Sequence, residues 1–152
     1  MGTEKYISEI KQINYPVHKV YNRLSDLRNV GKLLNPEKLS EVKDKIPGEP
    51  EINIENFQAT ENECSFDIKL FGKVGLSIVE KEPNKTVKLM GSKSMPFDFY
   101  CWLQFLPEST ESCKVRITLQ AELNPMLKMM VNKPLEEGVN RIADALTRIN
   151  FA

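Results

Sequence analysis

The chain has 152 residues, of which 41% are hydrophobic and 28% are charged, a composition typical of one globular domain and not of a disordered segment. Its 21 Lys and Arg residues balance its 21 Asp and Glu residues, so there is no overall charge to attract nucleic acid or an anionic membrane. We therefore expect a single domain over residues 1–152 that binds no nucleic acid.

The N-terminus lacks the apolar segment of a secretory signal, and no apolar run approaches the roughly 20 residues that span a bilayer. The three cysteines, Cys64, Cys101 and Cys113, are widely spaced and form no CxxC pair, which argues against a disulfide framework or a zinc site. These features predict a cytoplasmic protein with reduced, buried thiols, no membrane span and no cofactor.

The first third of the chain is predicted to hold one strand and two short helices. Residues 4–14 are rich in β-branched and aromatic side chains and predict a strand, with a bulge as an open alternative. Pro16 suits the first turn of a helix, and apolar residues recur at helical spacing from there to about Leu27. A second short helix is predicted over 28–34, and the polar, Pro-containing segment 36–50 predicts a loop.

From residue 51 onward, apolar side chains recur at every second position, as in a strand with one buried face. Turn signals at Gly72, at Glu82–Lys85 (predicted as a type I turn) and at 91–96 and 107–111 divide this region into about six strands. Short connections between successive strands require antiparallel pairing. A sheet with one apolar face needs a covering layer on that face only.

The C-terminal segment predicts the covering helix. Asn124 is a good N-cap and Pro125 a good first residue. An apolar stripe at i, i+3 and i+4 spacing follows up to Ile149. Pro134 removes the hydrogen bond to the Met130 carbonyl, so we expect a kink or break at residues 130–134, where the mouth of a pocket could open.

The predicted order is strand, two short helices, six antiparallel strands and a long helix. This α+β pattern resembles the START-like superfamily, also called helix-grip or SRPBCC, which includes polyketide cyclases and dehydrases, lipid-transfer domains, birch-pollen-allergen relatives and chaperone-activator domains. Four stretches carry the resemblance to its bacterial members: INYPVHKVYNRLSDLRN, VEKEPNKTVKL, MPFDFYCWLQF and NPMLKMMVNKPLEEGVNRIADAL. The resemblance implies a β-α-α-β(6)-α fold whose curved sheet wraps around the last helix, with a cavity between them.

The inward positions of the strands and the last helix form the candidate ligand site. They carry hydrocarbon and thiol groups, which favours the binding or carriage of a lipid, isoprenoid or polyketide-like molecule by burial of apolar area. Methionines around this site, including Met90, Met95, Met126 and Met129, would give it a soft lining. The predicted site residues are Phe66, Ile68, Leu76, Ile78, Phe99, Cys101, Leu103, Ile117, Leu119, Met130, Leu135 and Val139.

Three alternatives stay open. Large side chains such as Phe66, Phe99 and Phe105 could fill the interior completely, so that it holds no ligand. The resemblance alone suggests a cyclase- or dehydrase-like enzyme, but no catalytic constellation is visible, since His18 is the only histidine and no base is expected near Cys101 or Cys113. Tyr100 and Trp102 point away from the predicted core beside basic residues of neighbouring strands. They suggest an exposed aromatic patch with cation–π contacts that would serve a chaperone-activator-like partner surface or a homodimer.

Overall fold

The computed structural model describes residues 2–29, 54–68, 72–92, 95, 97–149 and 151. Two strands and a short helix come first, followed by six strands and a long helix, which confirms the predicted α+β helix-grip order. The predicted loop 36–50 and most of the predicted second helix lie outside the described residues. The elements are β1 (Gly2–Ile7), β2 (Lys11–Ile13), α1 (Val17–Leu24), β3 (Ile54–Ala59), β4 (Glu63–Ile68), β5 (Gly72–Glu82), β6 (Thr86–Gly91), β7 (Phe99–Pro107), β8 (Cys113–Leu123) and α2 (Pro125–Leu146).

All the described strands belong to one eight-stranded antiparallel sheet in the order β1-β8-β7-β6-β5-β4-β3, with β2 also paired to β8. Strand β8 lies between β1 and β7, and its inward side chains from Cys113 to Leu123 are all buried. Helix α2 packs on β8 and β1. The sheet therefore has one face under α2 and α1, as the single-sided alternation predicts.

The first predicted strand is two strands joined by a bulge. Both β1 and β2 pair with β8, and the ladder is interrupted at residues 8–10. Ser8 lies in the interruption, donating its backbone N–H to the Ile117 carbonyl and accepting the Ile117 N–H on its hydroxyl, at 2.8 and 2.9 Å. The hydroxyl thus replaces a backbone partner that the bulge removes, which lets a polar residue be buried here.

The hairpin between β5 and β6 differs from the type I turn predicted at Glu82–Lys85. The Lys85 N–H donates to the Glu82 carbonyl at 3.0 Å, but Asn84 has φ of 62°. A positive φ at the third position defines a type II turn, and Asn tolerates this conformation better than most residues. The location of the turn was predicted correctly and its type was wrong.

Helix α2 begins as predicted, since the Asn124 side chain accepts the Leu127 N–H at 2.8 Å. Of the kink or break expected at residues 130–134, the break is wrong, because the helix runs without interruption through Pro134 to Leu146; the kink stays a prediction. Val131 and Val139, which precede and follow Pro134, are 2% and 4% exposed. Packing of both halves on the same core therefore outweighs the single hydrogen bond that proline removes.

Candidate functional site

The register of the sheet aligns three of the predicted site residues, Ile78, Cys101 and Leu119, in one row with Leu89. Ile78 is the partner of Leu89, Leu89 of Cys101, and Cys101 of Leu119. In the adjacent row, Leu103 lies between Val87 and Ile117. Because Cα partners project to the same face of a sheet, these side chains form one continuous apolar surface on the face that α2 covers at β8 and β1.

Burial differs between the ends and the middle of this surface. On β7, Phe99 and Phe105 are 7% and 6% exposed, whereas Cys101 and Leu103 between them are only half-buried. Leu76 and Ile78 on β5 are half-buried as well, although both pack against the core. The aromatic rings therefore close the two ends of β7 and leave its centre less tightly covered.

Helix α2 shows a related contrast on its core-facing stripe. Val139 and Leu146 are buried, yet Ile142, which lies between them at i+3 and i−4, is 45% exposed. None of the described residues comes within 4 Å of the position that a Cβ on Gly138 would occupy. Gly138 thus has no close neighbour among the described residues, and Ile142 is exposed; both lie one to two turns beyond the position predicted for a pocket mouth.

The structure places Met130 differently from the prediction. Its side chain is 60% exposed, and Met126 and Met129 are 74% and 88% exposed. Val131 occupies the inward position because one residue corresponds to about 100° of rotation around a helix. Met90 is also exposed, so the predicted methionine lining of the site is wrong at these positions, and only Met95 packs on the core.

The remaining predicted site residues fall on the inward face, with one exception. Phe66, Ile117, Leu119 and Val139 are buried, and Leu135 is half-buried against the core. The side chain of Ile68 lies outside the described residues. The sheet and helix therefore bring together most of the apolar set that the alternation identified.

Tyr6 is an inward-facing residue that the sequence analysis did not select. It is the partner of Leu119 in the ladder, and its hydroxyl donates to the Asn132 side-chain carbonyl at 2.8 Å. Burial raises the pKa of Tyr6, with the nearby Glu4 carboxylate adding to the effect. Strand β1 does not alternate regularly, since Tyr6 is its one buried residue, so the strand gave no local signal for Tyr6, and only the packing of α2 reveals Asn132 as its partner.

The cysteines are free and unreactive in character. Burial raises the pKa of Cys64 and of Cys113 to about 11 and that of Cys101 to about 12, and the Glu108 carboxylate adds to the shift of Cys113. A thiol in this state supplies almost no thiolate at neutral pH, so none of the three is an activated nucleophile. Cys64 and Cys113 are buried as predicted, whereas Cys101 is half-buried.

The outer face of the sheet carries the predicted aromatic patch. The Lys88 Nζ lies 4.6 Å from the centroid of the Tyr100 ring and 5.4 Å from that of Trp102. The two rings are 6.0 Å apart. Beside them, the Gln104 side-chain carbonyl accepts from Arg116 and Thr118. Lys88 thus makes the predicted cation–π contacts with both aromatic side chains.

His18 is exposed on α1, away from the inward face. Within the described ranges, no group of three His, Cys, Asp or Glu side chains is placed to hold a metal ion. The helices of these ranges also include none that is long and apolar enough to cross a membrane.

No protein-family model and no curated protein sequence matches the chain. Solved structures match over nearly its whole length. Truncated norcoclaurine synthase from Thalictrum flavum is 11% identical with a TM-score of 0.64, covering 97% of this chain and 92% of that one. A START superfamily protein from Mycobacterium smegmatis is 14% identical with a TM-score of 0.55, covering 96% and 94%. A conserved protein from Geobacillus kaustophilus is 12% identical with a TM-score of 0.60, covering 97% and 93%. The chain therefore has the START-like, helix-grip fold.

Proposed function

We propose that the protein binds an uncharged, largely apolar small molecule between the inward face of the sheet and helix α2. The observation that carries this proposal is the partial exposure of side chains in the middle of an otherwise sealed apolar face. Cys101 and Leu103 are half-buried while the rings before and after them, Phe99 and Phe105, are buried. A fully packed core would bury its centre more completely than its ends.

Cys101 supports the same proposal. Its thiol is surrounded deeply enough by protein for burial to raise its pKa to about 12, yet the residue remains partly accessible. We infer from this combination that the side chain borders a space inside the protein. On the helix side, Ile142 is exposed and none of the described residues lies close to the Cβ position of Gly138, which supports an extension of this space toward the surface.

The chemistry of the wall defines the ligand class. The central inward positions of β5 to β8 carry hydrocarbon and thiol groups, so a buried charged group of a ligand would find no partner there. Affinity would come from burial of apolar area, at about 25 cal/mol per Å². The fold accommodates small aromatic molecules elsewhere, since the Thalictrum flavum norcoclaurine synthase was solved in complex with dopamine and hydroxybenzaldehyde.

A cyclase- or dehydrase-like activity requires an ionisable group that reaches the substrate. Tyr6 is inward-facing, but its hydroxyl is engaged by Asn132 at 2.8 Å and its pKa is raised, so it is poorly suited to act as a base. We therefore regard ligand binding as the better supported function and catalysis as the weaker candidate.

Adjacent residues on β7 provide a matched pair of variants to test binding. Cys101→Phe adds a ring to the inward face, whereas Trp102→Phe changes a ring on the outer face of the same strand. Binding is measured by titration with an environment-sensitive apolar fluorophore and by native mass spectrometry of gently purified protein. We expect the wild-type protein and Trp102→Phe to bind the fluorophore and Cys101→Phe to lose at least tenfold in affinity while remaining folded.

Two results would count against the proposal. The first is a wild-type protein that carries no bound species and shows no saturable binding of apolar probes. The second is a folded Cys101→Phe variant that binds as tightly as the wild type. A panel of neutral and anionic amphiphiles that share the same alkyl tail would test the predicted preference for uncharged ligands.

The exposed aromatic patch supports a second candidate function, self-association through the outer face of the sheet. Tyr100 is 36% exposed, and the neighbouring Met90 and Val79 are 39% and 47% exposed. The balanced charge of the chain gives no net repulsion between copies. Sedimentation over a concentration series, with Tyr100→Ala/Trp102→Ala as the variant, tests this candidate. A wild-type protein that stays monomeric at high concentration would exclude it.

A further inference from the structure

The first turns of α2 carry three methionines whose side chains point into solvent. Met126 and Met129, at 74% and 88% exposed, are the most exposed large hydrophobic side chains of the described residues, and Met130 is 60% exposed. Methionine side chains usually fill gaps in cores. These three side chains fill no gap in the core, so packing of the fold does not account for the presence of methionine at these positions.

Their spacing brings three thioether groups to one surface of the helix. Met129 and Met130 follow Met126 at i+3 and i+4, and side chains at these distances have Cβ atoms about 5–6 Å apart. Each methionine has three rotatable bonds, so the sulfurs can converge on one ion without a change in the backbone. The backbone is fixed by the Asn124 cap, which accepts from Leu127 and Lys128 at 2.8 and 2.9 Å.

The neighbouring cations are compensated. The Lys128 Nζ lies 2.8 Å from a Glu4 carboxylate oxygen on β1. The Lys133 Nζ, one turn after Met129, lies 3.9 Å from a carboxylate oxygen of Glu137. Each ammonium therefore has an acidic partner, which reduces its repulsion of a metal ion. The positive end of the helix dipole disfavours a divalent ion at this place more than a monovalent one.

We propose that Met126, Met129 and Met130 form a binding site for a soft monovalent metal ion, Cu(I) or its analogue Ag(I). Thioether sulfur is a soft ligand that selects Cu(I) over harder ions such as Zn²⁺ or Mg²⁺. A thioether also carries no proton to displace, so binding does not weaken as the solution becomes mildly acidic, in contrast to sites built from His or Cys. This site lies on the surface of the helix opposite the core and is independent of the proposed apolar ligand site.

The test is isothermal titration of the purified protein with Ag(I) in a chloride-free buffer. The variant is M126L/M129L/M130L, since leucine preserves volume and apolar character and the three side chains are exposed. The control is M90L, which removes an exposed methionine from the outer face of the sheet. We expect the wild type and M90L to bind Ag(I) with the same affinity at mildly acidic and neutral pH, and the triple variant to lose at least tenfold.

Unchanged Ag(I) affinity in the folded triple variant would overturn the proposal. So would binding that falls steeply in mild acid, because the ligands would then be thiolates or the single histidine. The exposed methionines could instead be an apolar contact for a membrane or a second copy. If the triple variant loses sedimentation with anionic vesicles, or loses self-association, while Ag(I) binding persists, the surface serves docking and the metal site is excluded.

Discussion

Gly91 offers a sharp test of the packing beneath the sheet. A Cβ at this position would lie 2.6 Å from Cδ1 of the Phe99 ring, much closer than ordinary van der Waals contact. The Phe99 ring is 7% exposed and packs against Phe97 with a centroid distance of 5.8 Å. It therefore has little room to move away from an added methyl group.

We expect Gly91→Ala to destabilise the protein by about 1–3 kcal/mol, the range for overpacking in a core. For a chain of this size, each kcal/mol lowers the melting temperature by roughly 2–4 °C. Alanine would otherwise be favoured, because glycine loses more conformational freedom on folding. A net loss of stability would thus isolate the clash with Phe99.

Gly138→Ala is the matched control, since none of the described residues lies within 4 Å of the new methyl group. In the interior of α2, this change should stabilise the protein by about 0.5–1 kcal/mol. Both variants are measured by thermal and urea unfolding followed by circular dichroism. A Gly91→Ala protein as stable as the wild type would refute the packing inferred here. Partial recovery in Gly91→Ala/Phe99→Leu, beyond the sum of the single changes, would identify the ring as the cause.

Three further predictions concern the core, the thiols and the helix. Leu119→Glu places a charge without a partner on the buried face of β8 and should prevent folding, and a circular-dichroism melting curve like that of the wild type would show that the face is misassigned. Burial raises the pKa of Cys101 from 9.0 to about 12, so between these pH values the thiol ionises in the unfolded protein but stays protonated in the folded one. The contribution of this thiol to the free energy of unfolding is therefore complete below about pH 9 and is lost as the pH rises toward 12. Urea unfolding across this pH range would detect the loss as a falling midpoint. Pro134→Ala restores a helical hydrogen bond to the Met130 carbonyl and should stabilise α2 by up to about 3 kcal/mol, and an unchanged unfolding free energy would mean that the helix already accommodates proline without cost.

Local sequence signals were sufficient for most of the fold. The two-residue period from Cys113 to Leu123 predicted β8 and its buried face, because a strand that is buried on one side requires that alternation. The Asn124–Pro125 pair predicted the start of α2 because capping is a local interaction. Tyr100 and Trp102 were assigned to the outer face by the same alternation, and their contact with Lys88 follows from strand pairing.

Other features depended on contacts between segments distant in sequence. Pro134 predicted a break by local chemistry, but burial of Val131 and Val139 on the same core keeps α2 continuous. The inward place of Val131 instead of Met130 depends on how α2 rotates against β8, and that rotation is a property of the packed interface. The partial exposure of Cys101 and Leu103 is likewise set by how far the helix stands from the sheet.

The sequence by itself therefore determined which residues alternate, where the elements begin and that successive strands from β3 to β8 pair, because these depend on neighbours along the chain. The pairing of β1 and β2 with β8 joins distant segments and was decided by the tertiary structure. Only the tertiary structure decided that Met130 faces solvent, that Tyr6 donates to Asn132, and that none of the described residues lies close to the Cβ position of Gly138. Each of these features depends on how one element is positioned against another, and these positions result from the packing of the whole domain.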